Sequence, residues 1–494
     1  SMSATGAAEF VPPSGLVEVA MAAVWSKVLG VPRVGARDNF FDLGGHSLLA
    51  ARAASRLRRL FGVELSVKTL FERPAVAELA RHLESLAAGG AQVPPPLVPA
   101  DRAGDLPASY AQERLWFLDR LEPGSPLYNM SGAFALSGPL GVAALGEALT
   151  EVASRQESLR TRFVELDGAP GLAIDPPAPV PLPVADLSLL RPADRERQLH
   201  RSAEHEAARP FDLAAGPLFR VRLARLGGDV HTLFVSMHHV ISDGWSLGVL
   251  IRELGELYGA ALSGAPAALP PLPVQYADYA LWQRRWLSGP VLGRHLDHWH
   301  ERLAGLEPTV LPTDRAPRAG SGRPAGERPV ALPAELVRGL HELAGRSGAT
   351  LFMVLLAGLE LLLARYAGRR DVAVGTPVAG RSAAETEGLV GFFVNTLVLR
   401  GDLSGRPSFG ELLARVRGDV LDAFAHQEAP FAKVVERLRP EPGGQDEDPL
   451  VRVVLALQNA PAPPPALPGV EVIRLPVAAP AAKFDLTLEL EEPA

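Results

Sequence analysis

Residues 235–247, with the sequence VSMHHVISDGWSL, form the stretch around which the rest of the chain is interpreted. Before the two histidines, apolar residues such as Leu233 and Met237 fall on one face of an alternating pattern, which predicts a strand. After the Asp-Gly pair, apolar residues recur at helical spacing from Leu247, and Ser246 is the predicted cap of that helix. The motif is therefore predicted to lie where a strand ends and a helix begins.

The strand alternation predicts that His238 and His239 point to opposite sides, so that at most one of them faces a given cavity. A histidine at a strand end, beside a turn that carries Asp243, suits acid and base chemistry near neutral pH. Two histidines with purely structural roles explain the same residues. The motif alone leaves both interpretations open.

The composition limits the classes of protein to which the chain can belong. A length of 494 residues predicts about three compact units, and 47% hydrophobic residues suffice for sizeable cores. The net charge of −7 argues against general nucleic-acid binding. The absence of cysteine excludes disulfides, thiolate metal sites and cysteine nucleophiles, and it fits a cytoplasmic protein. The most apolar run, residues 351–363, contains Glu360 and is too short for a membrane span, so no membrane association is predicted.

The first ninety residues carry four predicted helices. Apolar residues repeat at helical spacing over residues 16–31 and 47–62, a short third element contains Leu70, and Pro74 stands in the first turn of a fourth helix. The pattern predicts a small four-helix bundle, of a size that folds alone.

Ser47 stands immediately before the second predicted helix and follows two glycines. Its hydroxyl is therefore presented at a helix N-terminus, where free amides and the helix dipole favour a phosphate, although a simple helix cap explains the same serine. Residues 38–50, DNFFDLGGHSLLA, resemble the modification loop of the peptidyl carrier domains of nonribosomal peptide synthetases. The resemblance implies a phosphopantetheine arm that a phosphopantetheinyl transferase attaches to Ser47.

The carrier resemblance places a carrier domain at residues 10–88. Glycine, alanine and three consecutive prolines then predict a linker at residues 89–105. Beyond it, predicted strands and helices alternate, which indicates an α/β unit of two lobes. The run ALPPLPV sets the predicted boundary between an N-terminal lobe at residues 106–271 and a C-terminal lobe at residues 272–494.

Six stretches of this second unit resemble motifs of the condensation domains of the same synthetases. In chain order they are SYAQERLWFL at 109–118, RQESLRTRF at 155–163, MHHVISDGWS at 237–246, YADYALW at 276–282, VGFFVNT at 390–396 and HQEAPF at 426–431. The resemblance implies an acetyltransferase-like, V-shaped fold of two lobes, and the first stretch resembles the subtype that accepts an L-configured donor. Gln156 departs from the family, which commonly has histidine there, and the chain stops where the family would continue, which suggests a shortened second lobe.

The combined resemblance implies a function in nonribosomal peptide synthesis. The carrier would present a donor aminoacyl or peptidyl thioester, and the condensation domain would join it to the amine of an acceptor on a downstream carrier domain. An upstream adenylation domain is a further implied partner. Two alternatives are an epimerisation domain, which shares the histidine motif, and a noncatalytic platform that docks carriers.

The same resemblance implies roles for the residues of the central motif. His239 would face a substrate tunnel, either as a general base or as a group that positions the amine, while His238 holds the turn beside it. Asp243 would either orient His239 or form a structural ion pair with Arg381. Gly244 would let the backbone turn where the substrates pass.

Trp245 and Asn395 are further candidates near the tunnel. Trp245 either lines it or packs in the core. Asn395 either binds a carbonyl or an amide of the arm or caps local structure. No metal site is predicted, because His295, His298 and His300 lie on a solvated helical pattern without a partnering set of carboxylates.

Overall fold

The N-terminal unit is a bundle of four helices. The structure, a computed structural model, describes residues 10–63, 65–87, 94–314, 325–439, 450–458, 466–477 and 481–492, without the side chains at positions 47, 48 and 51. The helices of the bundle are α1 (Gly15–Leu29), α2 (Ser47–Phe61), α3 (Val67–Glu72) and α4 (Val76–Ala87). Their inner faces meet at the fully buried side chains of Trp25, Phe40 and Leu57. The predicted four-helix bundle is confirmed.

Two helix ends of the bundle use the glycines that the sequence places there. Gly30 and Gly62 end α1 and α2 in the left-handed region, with φ values of 69° and 63°. The fourth helix begins at Val76 and not, as predicted, in a turn that contains Pro74. The reason is that the Pro74 carbonyl accepts a hydrogen bond of 2.8 Å from the Phe40 amide, which keeps this segment extended.

The first lobe combines helices with a mixed sheet. Its elements in chain order are α5 (Tyr110–Leu121), β1 (Asn129–Ser137), α6 (Val142–Arg155), β2 (Thr161–Leu166), β3 (Ala169–Ile174), β4 (Val184–Asp186), α7 (Pro192–Ala208), β5 (Phe219–Gly227), β6 (Val230–His238), α8 (Gly244–Ser263) and α9 (Tyr276–Trp286). β6 lies between β1 and β5 and is antiparallel to both, while β4 follows β5 at one edge. β2 and β3 form a separate hairpin.

The second lobe has a sheet of four strands. Its elements in chain order are α10 (Gly289–Leu303), α11 (Ala334–Arg346), α12 (Leu351–Ala367), β7 (Asp371–Val378), β8 (Asn395–Asp402), α13 (Phe409–Ala425), α14 (Phe431–Leu438), β9 (Val453–Gln458), β10 (Glu471–Leu475) and β11 (Leu486–Glu491). Its strand order is β11-β9-β7-β8. The predicted mixed α/β unit with two lobes is therefore present.

The division between the lobes differs from the predicted boundary at Pro271. Tyr276 of α9 is buried in the core of the first lobe, and residues 389–393, between β7 and β8, pack into that same core. β10 leaves the second lobe and pairs with β1 at the edge of the first sheet. The first lobe thus recruits segments from the C-terminal half, a crossing of the chain that a boundary drawn along the sequence cannot represent.

The second half of the predicted linker is packed against the two-lobed unit. Leu97 is buried in the first core. The Ala100 amide donates to Asp278 Oδ1 at 2.8 Å, and Arg102 bridges Asp278 and Glu157 at 2.5 and 2.9 Å. Residues 97–102 therefore belong structurally to the first lobe.

The four-helix bundle packs against the second lobe. Buried apolar residues of the bundle, such as Val67, Leu70 and Phe71, form one continuous cluster with buried residues of the second lobe, such as Val420. Helix α3 contacts α13. The two units therefore share a packed interface.

No single helix in the described ranges has both the length and the apolar composition needed to cross a membrane. Only the pair α11 and α12, bent by 105° at its junction, satisfies those two requirements jointly.

Candidate active site

A large cavity runs between the two lobes. It has a volume of about 1260 Å³ and is lined by side chains of both lobes and of the bundle. The central motif reaches this cavity because β6 ends at His238, a short turn follows, and α8 starts at Gly244. His239 and Trp245 both lie on the cavity wall.

His239 is half-buried and held in one orientation. Its Nδ1 lies 2.8 Å from the Ser242 carbonyl oxygen, and its ring meets Phe392 edge to face at 4.9 Å. A carbonyl oxygen only accepts, so Nδ1 carries the proton of the neutral ring and Nε2 keeps a free lone pair. Burial, followed by the positive charge of Lys483, lowers the pKa of His239 to about 3. The imidazole is therefore neutral at physiological pH.

His238 lies on the other side of the strand. It is 3% exposed, its Nδ1 accepts a hydrogen bond from the Val240 amide at 3.1 Å, and its ring lies between those of Tyr128 and Phe211. Burial also lowers its pKa to about 3. It does not line the cavity between the lobes. The geometry gives His238 a structural position and leaves His239 as the histidine of the pair that faces the cavity.

Asp243 is completely buried at the N-terminus of α8. Its Oδ1 accepts from the amide and the hydroxyl of Ser246 at 2.8 and 2.7 Å and from Arg381 Nη2 at 3.1 Å. Its Oδ2 accepts from the Phe393 amide at 3.0 Å. The cap of α8 is therefore Asp243 and not the predicted Ser246. Neither carboxylate oxygen bonds to His239, whose ring is oriented by the Ser242 carbonyl instead.

Arg381, which follows β7 of the second lobe, is the partner of Asp243 in the first lobe. It is buried, and it donates to Asp243, to the Ser246 hydroxyl, to the Thr386 carbonyl and to the Leu389 carbonyl. The preceding Gly380 has φ of 64°, and a Cβ there would lie 1.9 Å from the Phe393 carbonyl oxygen. The ion pair that was inferred for Asp243 is thus part of a larger buried junction.

The remaining predicted site residues are Gly244, Trp245 and Asn395. Gly244 is the first residue of α8, without a positive φ, and a Cβ there would meet nothing within 4 Å. The backbone turn itself therefore does not require glycine, while Gly244 does lie on the cavity wall. Trp245 lines the cavity and donates from Nε1 to the Glu387 carbonyl at 3.0 Å. Asn395 also lines it, but its amide bonds the Gln427 and Ala429 carbonyls and the Phe431 amide, which is the structural alternative.

The loop before α2 fits the phosphate end of an arm at Ser47. Ser47 is the first residue of α2, His46 makes no side-chain cap bond, and the first turn has no acidic residue, so its amides suit an anion. Gly45 has no room for a Cβ, which would lie 2.3 Å from the Phe40 ring. Arg52 and Ser66 of the bundle line the cavity, so this unit lies at one of its mouths.

Lys483 and Arg114 are cavity residues that the sequence interpretation missed. Lys483 Nζ lies 5.2 Å from the ring centre of Tyr128, and surrounding protein and Arg114 lower the pKa of Lys483 to about 8. Burial likewise lowers the pKa of Arg114. The sequence marks Lys483 only by composition, as one of four lysines in an arginine-rich chain, and does not indicate that it reaches the cavity.

The histidines near α10 form a stack. His298 and His426 are parallel with ring centres 3.7 Å apart, and His295 Nδ1 lies 3.1 Å from His426 Nδ1. His300, on the same helix, is exposed. Over the described ranges, no three histidine or carboxylate side chains are arranged to hold a metal ion.

The two lobes enclose a shared cavity, and the four-helix bundle contributes to its lining. Residues 102–493 match the condensation domain family, and residues 20–83 match the phosphopantetheine attachment site. The chain therefore belongs to the condensation domain family, and its four-helix bundle is a carrier domain for covalently attached phosphopantetheine.

Similar relatives are nonribosomal peptide synthetases. The chain is 47% identical over 92% of its length to a linear gramicidin synthase polypeptide of Brevibacillus parabrevis, and 42% identical over 89% to phosphinothricin tripeptide synthetase PhsB of Streptomyces viridochromogenes. It spans 9% of the former and 37% of the latter.

Solved structures share the fold. The X-domain from teicoplanin biosynthesis has a TM-score of 0.73 and 31% identity, covering 81% of this chain and 88% of that one. The first condensation domain of the CDA synthetase has a TM-score of 0.63 and 23% identity, covering 79% of this chain and 89% of that one. The second likeness concerns the fold alone.

Proposed function

We propose that this chain forms an amide bond between a donor acyl group, held as a thioester at Ser47, and the amine of an acceptor aminoacyl thioester on a downstream carrier. The observation that carries the proposal is the neutral His239 on the wall of a cavity that both lobes and the carrier line. The proposal includes an L-configured donor, which the resemblance of residues 109–118 supports.

The attached arm supplies the thiol on which the acyl group is held. In the reaction the amine nitrogen attacks the carbonyl carbon, the C–N bond forms, the C–S bond breaks, and the amine proton ends on the released thiol. An α-amine has an unperturbed pKa of about 8, so a useful fraction is neutral near pH 7. The protein therefore has mainly to position two groups and exclude water.

His239 is suited to positioning the amine. Its Nδ1–H is engaged by the Ser242 carbonyl, so Nε2 is free to accept a hydrogen bond from the amine. With a pKa of about 3, the protonated ring is costly, and the positive charge of Lys483 adds to that cost. His239 thus orients the amine and takes on only partial base character as the C–N bond forms.

A loaded-carrier assay tests this function. The Ser47 arm is loaded with a donor by a phosphopantetheinyl transferase, a separate downstream carrier is loaded with an acceptor, and the thioester products are measured by mass spectrometry. We expect a new amide on the acceptor carrier, none with Ser47→Ala, and about 10²-fold to 10⁴-fold less with His239→Ala. An unchanged rate in His239→Ala would contradict the assigned role.

The same assay separates the alternatives. An epimerisation domain would invert the donor stereocentre without forming an amide, and a docking platform would leave both thioesters unchanged. Paired L and D donors test the subtype. The upstream adenylation domain and a cytoplasmic location are part of the same proposal, because the donor must be activated and loaded where the carrier is.

A further inference from the structure

Helix α2 of the carrier is strongly basic. Its fifteen residues contain four arginines and no aspartate or glutamate. The side of the two-lobed unit that it faces presents carboxylates from the segment between β7 and β8 and from the region around the end of α13. The sequence interpretation assigned no function to these charges.

The centre of the contact is one glutamate that binds two arginines. Arg52 donates to Glu387 from Nε at 3.0 Å and from Nη2 at 2.8 Å, a two-pronged arrangement, and Arg56 Nη2 lies 3.1 Å from the same carboxylate. All three side chains are about one fifth exposed. They are therefore accessible enough to separate, yet shielded enough for geometry to matter.

Three further ion pairs surround this centre. Arg59 contacts Glu385 at 2.6 Å and Arg58 contacts Glu428 at 3.9 Å. On α3, Lys68 contacts Asp422 at 2.5 Å. In each of the five pairs the carrier supplies the cation and the two-lobed unit the anion, so the contact has one polarity throughout.

The acidic side is attached directly to the active-site wall. The Glu387 carbonyl accepts from Trp245 Nε1 at 3.0 Å, and Arg381 binds the adjacent Thr386 carbonyl while it also binds Asp243. The carboxylates at positions 385 and 387 therefore have a fixed place relative to the cavity. A carrier that binds these two carboxylates therefore has a fixed position relative to the cavity.

We propose that Glu385, Glu387, Asp422 and Glu428 form a docking surface that selects, by charge, a carrier whose second helix is basic. This proposal deepens the proposed function, since that carrier is the donor. A carrier with acidic residues at the positions of Arg52 and Arg56 meets like charges here and is rejected. Because ion pairs that remain partly exposed are individually weak, the covalent tether supplies much of the occupancy and the contact stays reversible.

The absence of cysteine gives a clean test on the full chain. Lys68→Cys with Asp422→Cys makes a reporter whose cross-linking by a short bis-maleimide measures how often the carrier is docked. In this background Glu387→Arg is expected to slow cross-linking about tenfold or more, by like-charge repulsion. Adding Arg52→Glu and Arg56→Glu to Glu387→Arg is expected to restore most of the rate.

A matched control is Arg81→Glu, on α4. It lowers the charge of the carrier by two, half of the change made by Arg52→Glu together with Arg56→Glu. The guanidinium of Arg81 bonds the Ala77 carbonyl of its own helix, so no effect on docking is expected. If Glu387→Arg does not fold, as judged by its thermal transition, Glu387→Gln is used with a salt series. Its cross-linking should lose about half of the salt sensitivity of the reporter, because the pairs of Glu385 and Glu428 remain. Rates insensitive to salt and to both Glu387 variants would overturn the proposal, as would failure of the swapped charges to restore docking.

The reporter needs no loaded arm, so it is independent of catalysis. A His239→Ala chain that cross-links normally and forms no amide leaves the docking surface intact. If the chain forms the amide normally but Glu387→Arg leaves cross-linking unchanged, the proposed function stands and the docking proposal fails. The two failures are therefore distinguishable.

Discussion

Two contacts in this molecule join separate units through arginine and carboxylate, and they differ in burial. At the lobe junction, Asp243 and Arg381 have side-chain exposures of 0% and 2%. At the carrier contact, Arg52 and Glu387 have exposures of 19% and 20%. At the junction, both carboxylate oxygens and two backbone carbonyls are also satisfied by further bonds.

The difference indicates two separate purposes. The buried pair of Asp243 and Arg381 cannot open without leaving a charge in a nonpolar environment, so the junction is permanent. The pair at the carrier contact is about one fifth exposed and exchanges its partner for water at a lower cost than the junction does. This contact can therefore form and release when the apolar packing of α3 separates with it. A carrier that presents successive substrates needs the second kind of contact, while the cavity wall needs the first.

The largest effect is expected from Arg381→Ala. The change leaves Asp243 buried without its cation, and we expect the free energy of unfolding to fall by about 3–5 kcal/mol. Chemical denaturation measures it. The matched control is Arg437→Ala, which breaks an exposed pair with Asp297 at 2.9 Å and should cost about 1 kcal/mol or less. Similar losses in both variants would contradict the contrast between buried and exposed pairs.

A smaller effect is expected from Gln156→His, which introduces the residue common in the family. The buried amide donates to Glu253 and to the Gly388 carbonyl and accepts from the Val390 amide. A neutral histidine has one donor and one acceptor, so one of these three partners loses its bond, at a cost of about 1–3 kcal/mol. Chemical denaturation of Gln156→His, with Gln156→Glu as the comparison, measures this loss of unfolding free energy. An unchanged stability would show that residues 388–390 rearrange freely.

The effect of the departure at Gln156 is thus open to test, whereas other features could be predicted from the sequence. Periodicity predicted β6, α8 and the carrier helices, because each has a strong apolar repeat of its own. Alternation also separated His238 from His239. These features depend on neighbours along the chain, which a sequence displays directly.

What the sequence could not supply depends on residues far apart along the chain. The cap of α8 was assigned to Ser246, because nothing local reveals that Asp243 also faces Arg381 and the Phe393 amide. The boundary at Pro271 failed because β10 returns to the first sheet. Lys483 was passed over because only the fold brings it to the cavity that contains His239.

The pH dependence of condensation tests whether His239, beside the buried junction, stays neutral during the reaction. His239, with a pKa of about 3, stays neutral as the pH falls from 8 to 5. Lys483, with a pKa of about 8, completes its protonation at the top of this range, so below about pH 7 the acceptor amine is the reacting group whose protonation changes. We expect the rate to fall about tenfold per pH unit below the amine pKa. An acceptor with an amine pKa lower by about one unit should shift the profile by the same amount. A steeper fall, of about a hundredfold per unit, would mean that His239 also titrates in this range.

The smallest effect is expected from Glu387→Gln, which keeps the shape of the side chain and its backbone bond to Trp245. Ion pairs that remain partly exposed contribute little to stability, so the free energy of unfolding should change by less than about 1 kcal/mol at low salt. The change should be smaller still at high salt. Denaturation at two ionic strengths measures it. A loss as large as that of Arg381→Ala would mean that the carrier contact is a permanent part of the fold, and the separation between a fixed junction and a releasable contact would then fail.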